Sequence, residues 1–234
     1  MLMKEQRTLE LLAPARDLAC AMAAVDHGAD AIYIGASDFG ARVAAGNSVD
    51  DIRQLCDYAH RYGVRVYVTV NTLIYEDEID KAYQLMKQLA EAKVDALLVQ
   101  DMAAIELMAR VRKELGYAPA LHASTQCDTR SAGKVRWLQQ QGFSRAVLAR
   151  ELSLDEIKAI HQAVPTVELE GFVHGALCVS YSGVCYASQH CFGRSANRGA
   201  CAQFCRMKFD LLDADGRTIE HDRHLLSLKD MNRL

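Results

Sequence analysis

The 234-residue sequence has no apolar run of the about 18 or more residues that a membrane-spanning helix needs. It has no apolar signal-peptide core in its opening MLMKEQRTLE, so a cytoplasmic location is the expectation. It has no large excess of either charge: 27 Lys+Arg stand against 30 Asp+Glu, a net of -3. Nucleic-acid binding is therefore not advertised by total charge, although a local basic patch can still supply it. No Gly-rich G-x-G-x-x-G turn follows the first strand-like run, which weakens a dinucleotide-binding reading. Neither a zinc-protease H-E-x-x-H nor a hydrolase G-x-S-x-G elbow is present. What is there, 50% hydrophobic and 24% charged residues, is the composition of a folded chain and not of a disordered or fibrous one.

The first 170 or so residues repeat one grammar, a short β-rich run, a polar turn and then a helical apolar pattern. Strands are expected at Leu9–Ala13, Ala31–Gly35, Val64–Val70, Ala96–Gln100, Ala120–Ser124, Arg145–Ala149 and Val167–Val173. Helices are expected near residues 17–27, 49–62, 78–92, 102–115, 130–141 and 153–163. Ser48 and Ser153 suit N-caps, and Gly28, Gly63 and Gly142 suit left-handed positions after helices. Alternating strands and helices imply parallel pairing by right-handed crossovers. The fold class expected is α/β, a TIM-type (β/α) barrel. A closed barrel takes eight strands and seven are legible, so the barrel reads as incomplete in this chain. The expected domains are barrel units one to seven over 1–173, a cysteine-rich cluster-binding segment over 174–209, and a hairpin plus the start of the last unit over 210–234. The hairpin strands are Lys208–Leu212 and Arg217–Glu220.

In such barrels chemistry sits at the C-terminal strand ends. Those ends are polar here: Thr69 and Asn71, Gln100 and Asp101, then His122, Ser124, Thr125 and Gln126, then Arg150 and Glu151, and finally Glu168, Glu170 and His174. Each alone reads equally as a strand-end or helix cap. Together they read as one ligand-binding mouth, with Arg150 and Glu151 as candidate substrate contacts.

Five of the eight cysteines, Cys178, Cys185, Cys191, Cys201 and Cys205, crowd into 28 residues. Crowding of this kind in a cytosolic protein points to metal or redox chemistry. Taking Cys178, Cys185, Cys201 and Cys205 gives C-x6-C-x15-C-x3-C, with Cys191 a possible replacement for one of them. Four thiolates suit zinc or an iron–sulfur cluster, and the wide, loop-borne spacing suits the cluster better. Buried or adventitious cysteines are the bland account. Cys20, Cys56 and Cys127 read as small hydrophobes of the core. From Phe172 to Lys208 there is no Asp or Glu, while Arg194, Arg198, Arg206 and Lys208 are present. That basicity either offsets the charge of a thiolate-held centre or makes an anion site through Arg194 and Arg198. His122, His174 and Tyr181 are candidate catalytic proton donors or acceptors.

The runs ELLAPARD, GADAIYIGASDFGAR, VYVTVNTL, LHASTQCD, VLARELSLDEI, FVHGALCVSYSGVC and GRSANRGACAQFCR together resemble the collagenase-like peptidase family U32. The resemblance runs from about Leu9 to Asp230. It implies a barrel carrying a 4Fe–4S cluster, by matching position on Cys178, Cys185, Cys201 and Cys205. FGAR, HASTQCD and GRSANRG bring it nearest to members that hydroxylate a cytidine of 23S ribosomal RNA to 5-hydroxycytidine. The implied reaction is an oxygen-independent hydroxylation of a pyrimidine, with prephenate as oxygen donor. The basic run then gains a role in gripping that small dicarboxylate, and ribosomal RNA or its precursor becomes the partner. Many members carry Gly where Arg16 stands, and members continue into a further strand resembling FKIEGR, which supports the incomplete-barrel expectation. A collagenase-like peptidase and a non-catalytic, cluster-bearing subunit working with a protein partner are the alternatives.

Overall fold

The computed structural model describes residues 9–41, 46–175, 177–181, 185–228 and 231–232. The chain divides into two compact units, one ending at Leu121 and the other beginning at His122. Strand β6 spans Ala120–Ala123, so the boundary falls inside a strand.

Unit 1 is built of strand–helix repeats. Its strands are β1 (Leu12–Ala15), β2 (Ala31–Ala36), the two-residue β3 (Gly46–Asn47), β4 (Arg65–Val70) and β5 (Ala96–Val99). Its helices are α1 (Leu18–Asp26), α2 (Val49–Ala59), α3 (Ile79–Glu91) and α4 (Ala103–Leu115). The pairs β1–β2, β2–β4 and β4–β5 are parallel, and β3 adds to β2. All four residues of β5, ALLV, are buried, as are the last five of β4. Burial on both faces is why these strands read as continuous apolar runs instead of alternating ones. The helices supply the covering layer: Ile52, Leu55 and Cys56 of α2, and Leu85, Met86 and Leu89 of α3, lie at helical spacing and are buried.

Unit 2 continues the grammar with the rest of β6, α5 (Ala132–Gln140), β7 (Phe143–Val147), α6 (Leu154–Ala163) and β8 (Glu168–Glu170), and β7 and β8 are parallel. Val135, Leu138, Phe143 and Val147 form part of its core. Beyond β8 come β9 (His174–Gly175), α7 (Ala187–Phe192), the antiparallel hairpin β10 (Phe209–Leu212) and β11 (Thr218–Arg223), and β12 (Met231–Asn232), which pairs with β9.

The parallel α/β class is as the sequence predicts. The N-caps at Ser48 and Ser153 form full capping boxes. Ser48 Oγ accepts the Asp51 N–H at 3.1 Å while Asp51 accepts the Ser48 N–H at 3.1 Å, and Glu156 returns the bond of Ser153 at 2.7 Å. Gly63 and Gly142 take left-handed φ of 71° and 91° after their helices. Several boundaries differ. The first strand starts three residues later than expected, at Leu12, and the seventh shortens from Val167–Val173 to Glu168–Glu170. The expected helix 49–62 ends at Ala59, and a 3-10 turn completes it. Cys20 is exposed, not in the core: α1 turns Ala21 and Val25 inward, four residues apart, and Cys20 falls off that face.

Candidate functional site

Among the polar strand ends of unit 1 the bland account holds. Asn71 Oδ1 accepts the Ala41 N–H at 2.9 Å, bracing the loop after β2. Asp101 accepts the Ile74 N–H and the Ala103 N–H, both at 3.0 Å, tying a loop to the start of α4. Thr69 is buried within β4. Gln100 follows β5 directly.

Unit 2 holds the chemistry-bearing residues. His122 lies in β6 and is buried. Ser124 accepts the Gln126 N–H and opens a 3-10 turn over Thr125–Cys127. Asp128 closes that turn with a positive φ of 52°, a conformation that Asp tolerates better than most residues. The turn brings Arg130 into a junction. Its Nε donates to Asp128 at 2.7 Å, its Nη2 stands 3.3 Å from Glu151, and its guanidinium lies 4.4 Å from the Tyr181 ring centre. Burial opposes the Arg130 charge, but the Asp128 hydrogen bond and the fields of Asp128 and Glu151 outweigh it and raise the pKa. Arg150 lies 4.4 Å over the Phe172 ring. Of the expected pair, Glu151 is therefore drawn together with Tyr181 through Arg130, a residue that sequence reasoning passed over, while Arg150 lies on Phe172 instead. The signal for Arg130 was available in the run STQCDTR, a turn ending in a left-handed Asp, but not the partner it would find.

Glu168 belongs elsewhere. It opens β8 at the strand's N-terminal end, and with Glu170 it pairs with the buried Arg145, at 2.5 and 3.5 Å. The expectation that it faces the C-terminal mouth is corrected: with β8 starting at Glu168, the strand direction carries it away from that end. His174 is exposed in β9, where its backbone pairs with Asn232.

The cysteine segment is folded less by periodicity than by side chains that grip its backbone. Arg194 Nε donates to the Ala200 carbonyl at 3.1 Å, and its Nη2 stands 3.5 Å from the Cys201 carbonyl. Arg206 donates to the Leu177 carbonyl, next to Cys178, at 3.4 Å. The buried Ser188 accepts the Ala202 N–H at 2.9 Å. Gln203, between Cys201 and Cys205, takes a positive φ of 54° and starts a 3-10 turn over Phe204–Arg206. Arg198 ends another such turn, Ala196–Arg198. So Arg194, expected on an anion, spends donors on the segment itself.

Cys178, Cys191 and Cys201 are exposed and Cys185 and Cys205 half-buried. Burial raises the Cys205 pKa first, and then the neighbouring charges of Cys178, Cys201 and Cys185 raise it further, against Arg206. Cys178, Cys185 and Cys201, the other three selected by spacing, are therefore all near enough to Cys205 to act on its thiol. Among the described residues no group of three or more His, Cys, Asp or Glu is arranged to hold a metal ion outright. Final ligand geometry at such a site is imposed on the thiolates by the bound metal itself. Four soft donors with no carboxylate nearby in sequence suit iron–sulfur or zinc and not a hard cation such as calcium or magnesium.

The chain is 52% identical over 223 residues to the 23S rRNA 5-hydroxycytidine synthase of Escherichia coli, covering 95% of this chain and 33% of that protein. It is 38% identical over 208 residues to a tRNA hydroxylation protein of Bacillus subtilis, covering 88% of this chain and 48% of that one. The chain thus spans between a third and a half of these relatives. A solved structure of a U32 peptidase superposes with a TM-score of 0.60 at 18% identity, covering 75% of this chain and 73% of that one, and so shares the fold. The model of Peptidase family U32 matches residues 16–234, and the chain belongs to that family.

Proposed function

We propose that this chain is the cluster-bearing part of an RNA hydroxylase, whose strand–helix units form part of a (β/α) barrel. The substrate is a pyrimidine in RNA, most simply a 23S rRNA cytidine converted to 5-hydroxycytidine. The observation that carries this reading is that Cys178, Cys185 and Cys201 all lie near enough to Cys205 to act on its thiol, in a segment without Asp or Glu. Similarity to two proteins named for RNA hydroxylation, at 52% and 38% identity, supports the reaction class. The four thiolates would hold a 4Fe–4S cluster, which when bound would supply a redox-active iron centre.

The chain's own residues supply the rest. Arg194 and Arg206 hold backbone carbonyls beside Cys201 and Cys178, which shapes the loops that carry those thiols. Arg198, with no carboxylate in its segment, is the residue suited to a small dicarboxylate such as prephenate. His122, buried in β6, is positioned to hold a proton in a site shielded from water. No described helix is long and apolar enough to cross a membrane, which accords with a cytoplasmic enzyme meeting ribosomal RNA or its precursor. A protein partner is part of the proposal as well.

The test is iron and acid-labile sulfide on anaerobically prepared protein, with Cys→Ser variants at positions 178, 185, 201 and 205. About four irons and four sulfides per chain, lost in every variant, is the result expected for a cubane cluster. Zinc in their place, or no metal together with a single fast-alkylating cysteine, overturns the reading in favour of the peptidase alternative.

A further inference from the structure

Beside the thiol set lies a chain of contacts that the reaction as proposed does not use. It runs through the residues that follow β6, β7 and β8, all in unit 2. The Arg130 guanidinium covers the Tyr181 ring at 4.4 Å and reaches Glu151 at 3.3 Å. The neighbour of Glu151 in sequence, Arg150, covers the Phe172 ring at 4.4 Å. Two aromatic rings are thus each backed by a guanidinium, and one ion pair links the two stacks.

The charges decide what this arrangement can take. Arg130 is held between two carboxylates, Asp128 at 2.7 Å and Glu151 at 3.3 Å. Its charge is largely offset locally, so it is poorly suited to grip a phosphate. Its fixed plane is suited to immobilise a ring. Tyr181 is nonetheless 62% exposed and Phe172 38% exposed. Isolated exposed aromatics are common on protein surfaces. A ring exposed on one side and pinned on the other by a neutralised guanidinium is a different object. It offers a flat apolar face whose ordering entropy has already been spent. Flat π-surfaces of this kind take unstacked bases, at about 1–3 kcal/mol per base by alanine substitution. Tyr181 also follows Cys178 by three residues, so its Cα lies within about 11 Å of that of Cys178 even if the chain between them is fully extended.

We propose that Tyr181, backed by Arg130, is the stacking platform for an unpaired base of single-stranded RNA, with Phe172, backed by Arg150, as the second platform. The inference rests on the RNA reading above and deepens it. It replaces a proton-transfer role for Tyr181 with a positioning one, in which the ring and not the hydroxyl matters.

The probe is a labelled ten-nucleotide single-stranded oligocytidylate, with a blunt RNA duplex as comparison, read by fluorescence anisotropy. Wild type is expected to bind the single strand more tightly than the duplex. Tyr181→Ala should weaken single-strand binding by roughly 5- to 150-fold, the range of one lost stacked base. Tyr181→Phe should bind like wild type. The dependence of log K on log salt should be unchanged in Tyr181→Ala, because a base contact releases no counterions. Tyr181 is exposed, so circular dichroism and the melting temperature of the alanine variant should match wild type; Tyr181→Leu, which keeps bulk and removes the π-face, should show the same loss of binding. If wild type binds neither RNA, the RNA reading and the platform fall together. If wild type binds and Tyr181→Ala binds equally well, the platform falls and the RNA reading stands. Loss of binding in Tyr181→Phe as large as in Tyr181→Ala assigns the effect to the hydroxyl and also overturns the platform.

Discussion

Asp17 shows how much one side chain at a helix end can encode. It caps α1 by accepting the Cys20 N–H at 2.9 Å and is ion-paired with Arg16 at 2.8 Å. The backbone hydrogen bond first, and then the bond from Arg16, bring its pKa from 3.8 down to about 2. Because the folded value lies below the unfolded one, the carboxylate stabilises the fold at neutral pH. That contribution is lost as pH falls from about 4 toward 2. An NMR titration of the Asp17 carboxyl should show a midpoint near 2, and a midpoint near 4 would refute the cap. Cys56 runs the other way. Burial first, then the fields of Asp95 and Asp57, push its thiol up to about 12. At pH 8 it should stay protonated and resist iodoacetamide, while exposed Cys20 is labelled, as peptide mapping by mass spectrometry can follow. The sequence put both in the core because cysteine is usually buried. What separates them is a helical phase difference, since α1 is so rich in alanine that its inward face is hard to identify from composition.

At the scale of elements, legibility follows the source of order. Helices α2 and α6 were readable because their caps are local: Ser48 with Asp51, Ser153 with Glu156. Ser153→Ala should cost about 1 kcal/mol and lower the melting temperature, whereas Ser153→Asp should retain the cap. Core positions follow period and burial. Leu138 on α5 is fully buried, and Leu138→Ala should cost about 2–5 kcal/mol in denaturant unfolding. The elements that escaped prediction are short, and apart from β3 and β12 they lie in the cysteine segment: α7, the 3-10 turns ending at Arg198 and Arg206, and β9. Their order comes from contacts across the segment, such as Arg194 on the Ala200 carbonyl and Ser188 on the Ala202 N–H. Such contacts leave no periodic trace. The Arg130 junction was missed for the same reason, since Asp128, Glu151 and Tyr181 are spread over 54 residues of sequence.

For the chain as a whole, repeated strand–helix units were legible over the first 170 or so residues, because each buried strand there is a continuous apolar word and each helix an amphipathic one. The division into two units inside β6 was not, since no Pro- or Gly-rich linker marks it. If the four thiols hold a metal centre, binding should be coupled to folding of the 174–209 segment alone. Removing iron with a chelator should then speed hydrogen exchange in that segment and leave the amides of β4 and β5 protected. Faster exchange across β4 as well would mean that the centre supports unit 1, against this view.

The exposure of Cys178 and Cys201, close enough to Cys205 to alter its proton affinity, has a consequence for the protein's lifetime in air. Neighbouring accessible thiols that hold no metal are substrates for oxidation, first to sulfenic acid and then to a cross-link with a nearby sulfur. A protein emptied of its centre would thus be sealed against reloading until a reductant reopened it. Loss of the centre in air would become self-perpetuating, and the order in which reductant and iron are supplied would decide how much of it returns.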